Sequence, residues 1–584
     1  MGRKSSTRES RRARRGSTLR AARRALSTNA FIKGAKHFTP SGHAGLTSLE
    51  AIPDLLDEQA TLAVNGPGLC GALDFAFAGG GCLDTLMAAL DDVALPPSDW
   101  DPESYAEDLF LSELVDRCMS VTIDGWTAPL NKPFLIRVLS SPPADPDVAQ
   151  FRRVILQDLA AGADHRDNLR AIYRQLCHLR LCFDLQDITS RYEETRHRVE
   201  TLTLVRDIIE ASSAAFADCT SGLRRIRAFA TEAKATAGYR RLQELLEYEN
   251  NLAQVDVQLQ LGADGRVRKF GLLGLRENQD NRFHVSPAKR FFGRVGLVLR
   301  GYRFGGDELI ERWLDLVFDG VKHLLPPLVQ LLGHMELYLS ALAFRRLCES
   351  KGLAVCFPDL APEGGRRMRG LFNPILIEDK ITPVPCDLQS DTFETISVVT
   401  GPNSGGKTRL LQAVGIAQLL AQGGMFVPAA EARLRPASGL FVSLIGLADP
   451  RPEKGEGRLG TELIRIRKMF EKSRPKALVV LDEFCSGTNP SEGEEIFYLV
   501  LTLLPELGPE VFISTHFLEF TRRLAADAES ALHLDFIQVE LDEHQRPCYS
   551  IGPGVAETSL AAQTAARLGV TREELMALIR RNRA

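Results

Sequence analysis

The residues best suited to chemistry lie in three short stretches. In "TGPNSGGKT", Thr400 to Thr408, the spacing G-x-x-x-x-G-K-[ST] is met by Gly401, Gly406, Lys407 and Thr408, with Pro402, Asn403, Ser404 and Gly405 between them. Glycines let backbone N–H groups converge on phosphate oxygens, a lysine at this spacing reaches the β- and γ-phosphates, and the next hydroxyl ligates magnesium. In "ALVVLDEFCSGTNPSEG", Ala477 to Gly493, an apolar run ends in two carboxylates. Asp482 suits the magnesium shell. Glu483 suits polarising the attacking water, because phosphoryl transfer asks for positioning and charge neutralisation more than covalent chemistry. A third run, "VFISTHF", ends in Thr515 and His516, and His516 is a candidate for sensing the γ-phosphate. The chemistry expected is nucleoside triphosphate binding and hydrolysis.

These groups need elements to position them. The β-branched run "TISVV" precedes the glycine loop and "RLLQAVGIAQLLAQ", of helical composition, follows it. Strand, loop and helix in that order place the phosphates at a helix N-terminus, where the backbone dipole favours negative charge. The three apolar runs are read as strands of one sheet whose carboxyl ends face the ligand. An ordinary glycine-rich turn is the competing reading of the loop, and the flanking strand and helix speak against it. Beside the carboxylates, Cys485 reads either as a redox-sensitive thiol or, more simply, as a small apolar filler.

At 584 residues the chain has room for several domains, and 44% apolar with 25% charged residues is ordinary globular composition. The richest apolar stretch, "LVFDGVKHLLPPLVQLLGHMELYLSALAF", is interrupted by Asp319, Lys322, two prolines and Glu336, so no membrane span is expected. A net charge of −4 means that nucleic-acid contact must come from local patches. The 11 cysteines show no C-x-x-C pair and no zinc spacing, which suits buried thiols in a reducing cytoplasm. The first thirty residues carry ten Lys/Arg against one Glu. Such a start is a disordered basic arm for DNA phosphates, an organelle-targeting segment or a solvated tail.

Residues 1–40 thus form a basic tail, and 41–147 mix apolar and acidic pieces, including "SDWDPESYAEDLFLSELVDRCM", with no chemistry legible in them. From 148 to 345 the pattern is mostly helical. Leu169, Ile172, Tyr173, Leu176, Leu179 and Phe183 share one face, as do Leu202, Val205, Ile208, Ile209 and Phe216. Alternation at Val255, Val257, Leu259 and Leu261 into "GADG" predicts a β-hairpin near 255–272. Arg282 to Phe304 carries six Lys/Arg, several aromatics and no acidic residue; it is the best internal candidate for nucleic acid, with a solvated edge over buried rings as the plainer reading. A nucleotide-binding domain over 346–570 and a helix over 571–584 complete the chain.

Several segments in one order resemble the MutS family of DNA mismatch repair ATPases: "ELYLSALAFRRLCESKGLAVCFPDL", "GLFNPIL", "ITPVPCDL", "ISVVTGPNSGGKT", "LLAQGGMFVPA", "LVVLDEFCSGTNPSEG", "ISTHFLEF" and "YSIGPGVAETSLAAQTAARLGV". The resemblance runs from about 335 to 572. It implies a multidomain α plus α/β protein, a helical core and lever at 148–345 followed by a P-loop ATPase domain of the MutS type, related to transporter ATPases. It further implies ATP and Mg2+ as cofactors and a homodimer with composite nucleotide sites. DNA is the implied partner, mismatched or branched, with a cytoplasmic location and no membrane. By position, Gly401 to Thr408 bind phosphate, Thr408 and Asp482 serve magnesium, Glu483 and His516 act at the γ-phosphate, and Tyr549 places a ring near the adenine.

The departures from the family pattern bear on function. Ser404 stands for a usual Met, Thr408-Arg409 for Ser-Thr, and Pro383 for an aromatic near the base. The cross-subunit signature has become "GRLGTELIRIRKMF", with Gly460 and Thr461 as nearest equivalents, and "GTNPSEG" is closer to branches that do not read mismatches. No Phe-x-Glu wedge precedes the core, so mismatch specificity is not implied. Beside a DNA clamp stand two alternatives: a same-fold ATPase acting on a ribosome or transporter, and a nucleotide-binding dimer with little turnover.

Overall fold

The computed structural model describes residues 51–184, 191–251, 253–261, 267–277, 306–377, 382–444, 458–527, 532–558, 560 and 568–583. The basic stretches at 1–40 and 282–304 and the turn "GADG" lie outside them.

The helical part is organised by α1, Leu325–Ser350. Pro326 and Pro327 do not break it; they occupy its first turn, where a missing N–H costs nothing and the fixed φ suits a helix. From Leu325 to Leu342 every residue except Val329 is buried. Three of the polar groups inside, Gln330, His334 and Glu336, are matched to partners elsewhere in the chain, as buried polar atoms require. Gln330 accepts from the N–H of Ala63 at 2.8 Å and donates to the carbonyl of Thr61 at 2.8 Å. His334 Nδ1 accepts from the N–H of Leu55 at 3.1 Å. Glu336 accepts from the N–H of Asn131 at 2.7 Å and the Tyr173 hydroxyl at 3.2 Å. These groups moor the segments around 51–64 and 129–131 to the hub. Helix Ala163–Cys182 buries Leu169, Ile172, Tyr173, Leu176 and Leu179, while Phe183 is buried just past its end. Helix Arg191–Ala214 stops before Phe216, which is buried beyond it. Strands Ala253–Leu261 and Val267–Glu277 pair antiparallel.

The C-terminal part is built on a six-stranded sheet. Its elements in chain order are β1 Ile396–Thr400, α2 Lys407–Gln422, β2 Leu440–Leu444, α3 Arg458–Lys472, β3 Leu478–Asp482, α4 Pro490–Leu503, β4 Glu510–Ser514, α5 Leu518–Ala526, β5 Leu534–Leu541 and β6 Pro547–Pro553. The order is β2-β3-β4-β1-β5-β6. The first five strands are parallel and β6 closes the edge antiparallel to β5. Strands β1 to β4 are buried at every position, as expected where helices cover both faces. A smaller four-stranded sheet (Asp359–Leu360, Glu431–Leu434, Arg367–Leu371, Cys386–Gln389) lies beside it. The two are joined by fully buried Arg366, whose guanidinium donates to both Glu510 carboxylate oxygens at 2.7 and 2.8 Å and to Gln418 at 2.8 Å. Among the described residues no helix is long and apolar enough to cross a membrane.

Candidate nucleotide site

The carboxyl ends of β1, β3 and β4 converge because the three strands are neighbours. Strand β4 lies between the other two, with Ile513 opposite Leu481 on one side and Val398 on the other. The chain leaves β1 through a loop that two glycines make possible. Gly401 has φ of 148° and a Cβ there would lie 2.8 Å from Val539; Gly406, at φ 95°, opens α2. Ser404 takes φ of 64° without glycine's freedom. The first-turn N–H groups of α2 have no partner within the helix.

Lys407 is buried, and its ammonium donates to the carbonyls of Gly401 at 3.1 Å and Pro402 at 3.2 Å and lies 3.3 Å from Glu483. The Thr408 hydroxyl donates to Asp482 Oδ2 at 2.6 Å. The other oxygen of Asp482 accepts from Ser514 at 2.5 Å, and Ser514 Oγ in turn accepts the Glu483 N–H at 2.9 Å. Glu483 and Cys485 both have left-handed φ, 45° and 61°. This turn is fixed by Ser514 at one end and at the other by Glu462, which accepts the Cys485 N–H at 3.0 Å. Burial pushes the Asp482 carboxyl above the usual carboxylate range, against the hydroxyl donors of Ser514 and Thr408 and the charge of Lys407. Cys485 itself is fully buried, with its thiol pushed up to about 12, which suits an inert filler.

Above this floor opens a cavity of about 730 Å³, within the range of about 300–1,000 Å³ typical of small-ligand sites. Asn403 to Leu410 and Glu483 form its polar side, and Leu371, Phe372, Leu376, Val384, Val539 and Ile551 its apolar wall. Pro383 lines it as well. Tyr549, at φ 60° and about half exposed, leans on the loop: its Cδ1 is 3.4 Å from where a Cβ on Gly406 would sit, and its carbonyl accepts from the Cys386 thiol at 3.1 Å. One end is therefore cationic and rich in N–H groups, and the other is apolar and aromatic.

The geometry thus gathers Gly401 to Thr408, Asp482, Glu483 and Tyr549. His516 stands apart from them: it follows β4, is half buried, stacks obliquely on Phe517 at 4.5 Å and does not line the cavity. Gly460 and Thr461 lie in the first turn of α3 and do not line it either. Ser514 and Glu462 were missed by sequence reasoning. The serine sits in the quoted "VFISTHF" and could have been found as a hydroxyl at a strand end; the glutamate has no local signal.

Comparison with known proteins finds relatives over this part of the chain. The family model for MutS domain V matches residues 397–578. The C-terminal part of this chain is thus similar to MutS domain V. The endonuclease MutS2 of Thermomicrobium roseum is 34% identical over 209 residues, 35% of this chain and 25% of that protein. MutS2 of Halothermothrix orenii is 32% identical over 215 residues, 36% of this chain and 26% of its own length, and that of Thermus thermophilus 34% over 186 residues, 32% and 24%. The chain spans about a quarter of the length of these curated relatives. The MutS domain V match begins inside β1 and takes in the glycine loop, both carboxylates and Tyr549.

Proposed function

We propose that this chain is a magnesium-dependent ATPase that binds DNA as a homodimer, with nucleotide binding and hydrolysis moving its helical core and lever. The observation that carries the reading is the Thr408–Asp482 bond with Lys407 and Glu483 beside it, on the polar side of a nucleotide-sized cavity.

The residues fit the cofactor. Thr408 and Asp482 offer the one or two side-chain oxygens that Mg2+ takes when phosphates and water complete its shell. When bound, magnesium supplies charge neutralisation at the β- and γ-phosphates. Lys407, now held by the loop's own carbonyls, turns to the phosphates, and the backbone N–H groups of the loop orient them. Its departure frees Glu483 to accept a hydrogen bond from the attacking water and align it with the γ-phosphorus. Tyr549 and the apolar wall seat the base, with Pro383, in place of an aromatic, giving a weaker stack. His516, in the turn after β4, is assigned the contact with the γ-phosphate. Gly460 and Thr461, which do not line this chain's own cavity, would meet the nucleotide of a second copy. The relatives' family and the basic stretches at 1–40 and 282–304 support DNA as the partner.

The test is steady-state ATPase activity of wild type and Lys407→Ala, without DNA and with homoduplex, single-mismatch or four-way-junction DNA at one fixed salt concentration. Turnover stimulated by a DNA form and lost in the variant is the expected result. Equal wild-type rates in every arm would refute DNA coupling and favour a non-DNA target.

A further inference from the structure

Residues 99–108, in which the sequence shows no chemistry and which precede the matched domain by some three hundred residues, run alongside β2 and α3. The Trp100 indole donates to the carbonyl of Ala437 at 3.2 Å and Ser104 to that of Leu440 at 2.8 Å. Asp99 pairs with Arg474 at 2.5 Å and Asp101 with Lys472 at 2.6 Å. The strap ends at Asp108, which is 6% exposed and joins three pieces of the nucleotide domain. Its carbonyl accepts from Gln412, one turn beyond Thr408 on α2, at 3.3 Å. Its carboxylate pairs with Arg465 of α3 at 3.1 Å, and Arg465 also reaches the Ser443 hydroxyl at 3.4 Å. The N–H of Leu444, the last residue of β2, faces the same carboxylate, and Leu444 stands opposite Asp482 in the sheet register.

One turn before Arg465, α3 carries Glu462, the buried carboxylate that accepts the Cys485 N–H and so holds the left-handed turn bearing Glu483. Residues three apart on a helix share a face, so whatever locates Arg465 locates Glu462. We propose that Asp108 is a positioning residue for phosphoryl transfer, linking the P-loop helix to α3 so that Glu462 holds Glu483 at a fixed distance from the phosphates. The inference rests on the ATPase reading above. Asp108 touches no nucleotide; it acts through Arg465 and Glu462. A displaced water-orienting group costs turnover far more than binding, since an error of about 1 Å lowers rate by about a hundredfold.

The carboxylate also gives a pH signature. Burial, with a smaller contribution from Glu107, pushes Asp108 up to about 6 against the Arg465 guanidinium and the Leu444 N–H. Protonation below that pH weakens its hold on Arg465, so turnover falls on the acid side.

The experiment compares the full chain with Asp108→Asn, Arg465→Met and the double variant, measuring kcat, KM and nucleotide Kd between about pH 5.5 and about pH 8. The expected result is a kcat about tenfold or more below wild type in each single variant, with KM and Kd within about twofold. The double variant is no worse than the singles, and the acid limb near pH 6 is lost in Asp108→Asn. Wild-type turnover with an unchanged kcat and pH profile in Asp108→Asn would overturn this inference alone, as would a loss of kcat explained by lost nucleotide binding and a lower melting temperature. Absence of wild-type turnover would overturn the ATPase reading and this inference with it.

Discussion

Removing the Ser514 hydroxyl is the most informative single perturbation of the site. Ser514 Oγ lies between the two carboxylate residues, donating to Asp482 at 2.5 Å and accepting the Glu483 N–H at 2.9 Å. In Ser514→Ala both partners remain buried or half-buried. A hydrogen bond to a charged group contributes about 1.5–3 kcal/mol, and an orphaned donor adds to the loss, so the apo protein should lose about 2–4 kcal/mol. The larger effect concerns magnesium. Asp482 would keep only the Thr408 hydroxyl as a donor, and outer partners that orient a ligating carboxylate are worth about 10–100-fold in metal affinity. Fluorescent-nucleotide binding measured against Mg2+ concentration reads this directly. The Mg2+ needed for half-saturation should rise at least about tenfold, with metal-free nucleotide binding unchanged. An unchanged Mg2+ requirement in a folded Ser514→Ala protein would refute the role given to Ser514 and to Asp482 behind it.

Arg366→Met leaves Glu510 buried without its bidentate partner and should cost about 3–5 kcal/mol in urea unfolding. Adding Glu510→Leu should recover most of that loss, and a double variant as unstable as the single would contradict the explanation. Burial lowers His334 to about 4, so it is neutral in the fold and takes up a proton only on unfolding between that value and its ordinary 6.5. The depressed value makes stability full above about pH 6.5 and progressively lost as pH falls toward 4. The loss between about pH 7 and about pH 5 should be about 2 kcal/mol, and His334→Gln should show a shallower pH dependence; identical slopes would refute it.

What the sequence made legible is what local spacing encodes. The glycine loop, its flanking strand and helix and the carboxylates after "LVVL" are each read within a dozen residues, because the backbone conformations they need depend on nearest neighbours. What stayed hidden depends on pairing across the chain. Ser514 meets Asp482 over 32 residues, and Asp108 meets Gln412 over 304 and Arg465 over 357. The acidic stretch at 99–108 is hydrophilic by composition alone, and its partners on α2, α3 and around β2 lie more than three hundred residues away. Glu336 and the two prolines of α1 look like interruptions of an apolar run. In the fold the prolines start the helix and Glu336 is an acceptor for Asn131 and Tyr173 at its centre. The strand "VFISTHF" ends at Ser514, so Thr515 and His516 belong to the turn, which is why His516 stands off the cavity.

The most direct test of the central claim is a single-turnover measurement with Mg2+ and ATP on wild type, Glu483→Gln and Lys407→Ala. Wild type should bind and hydrolyse ATP, Glu483→Gln should bind it and hold it intact, and Lys407→Ala should bind it weakly. Hydrolysis by Glu483→Gln at the wild-type rate, or wild type that fails to bind ATP, would contradict the assignment of this cavity as a hydrolytic nucleotide site.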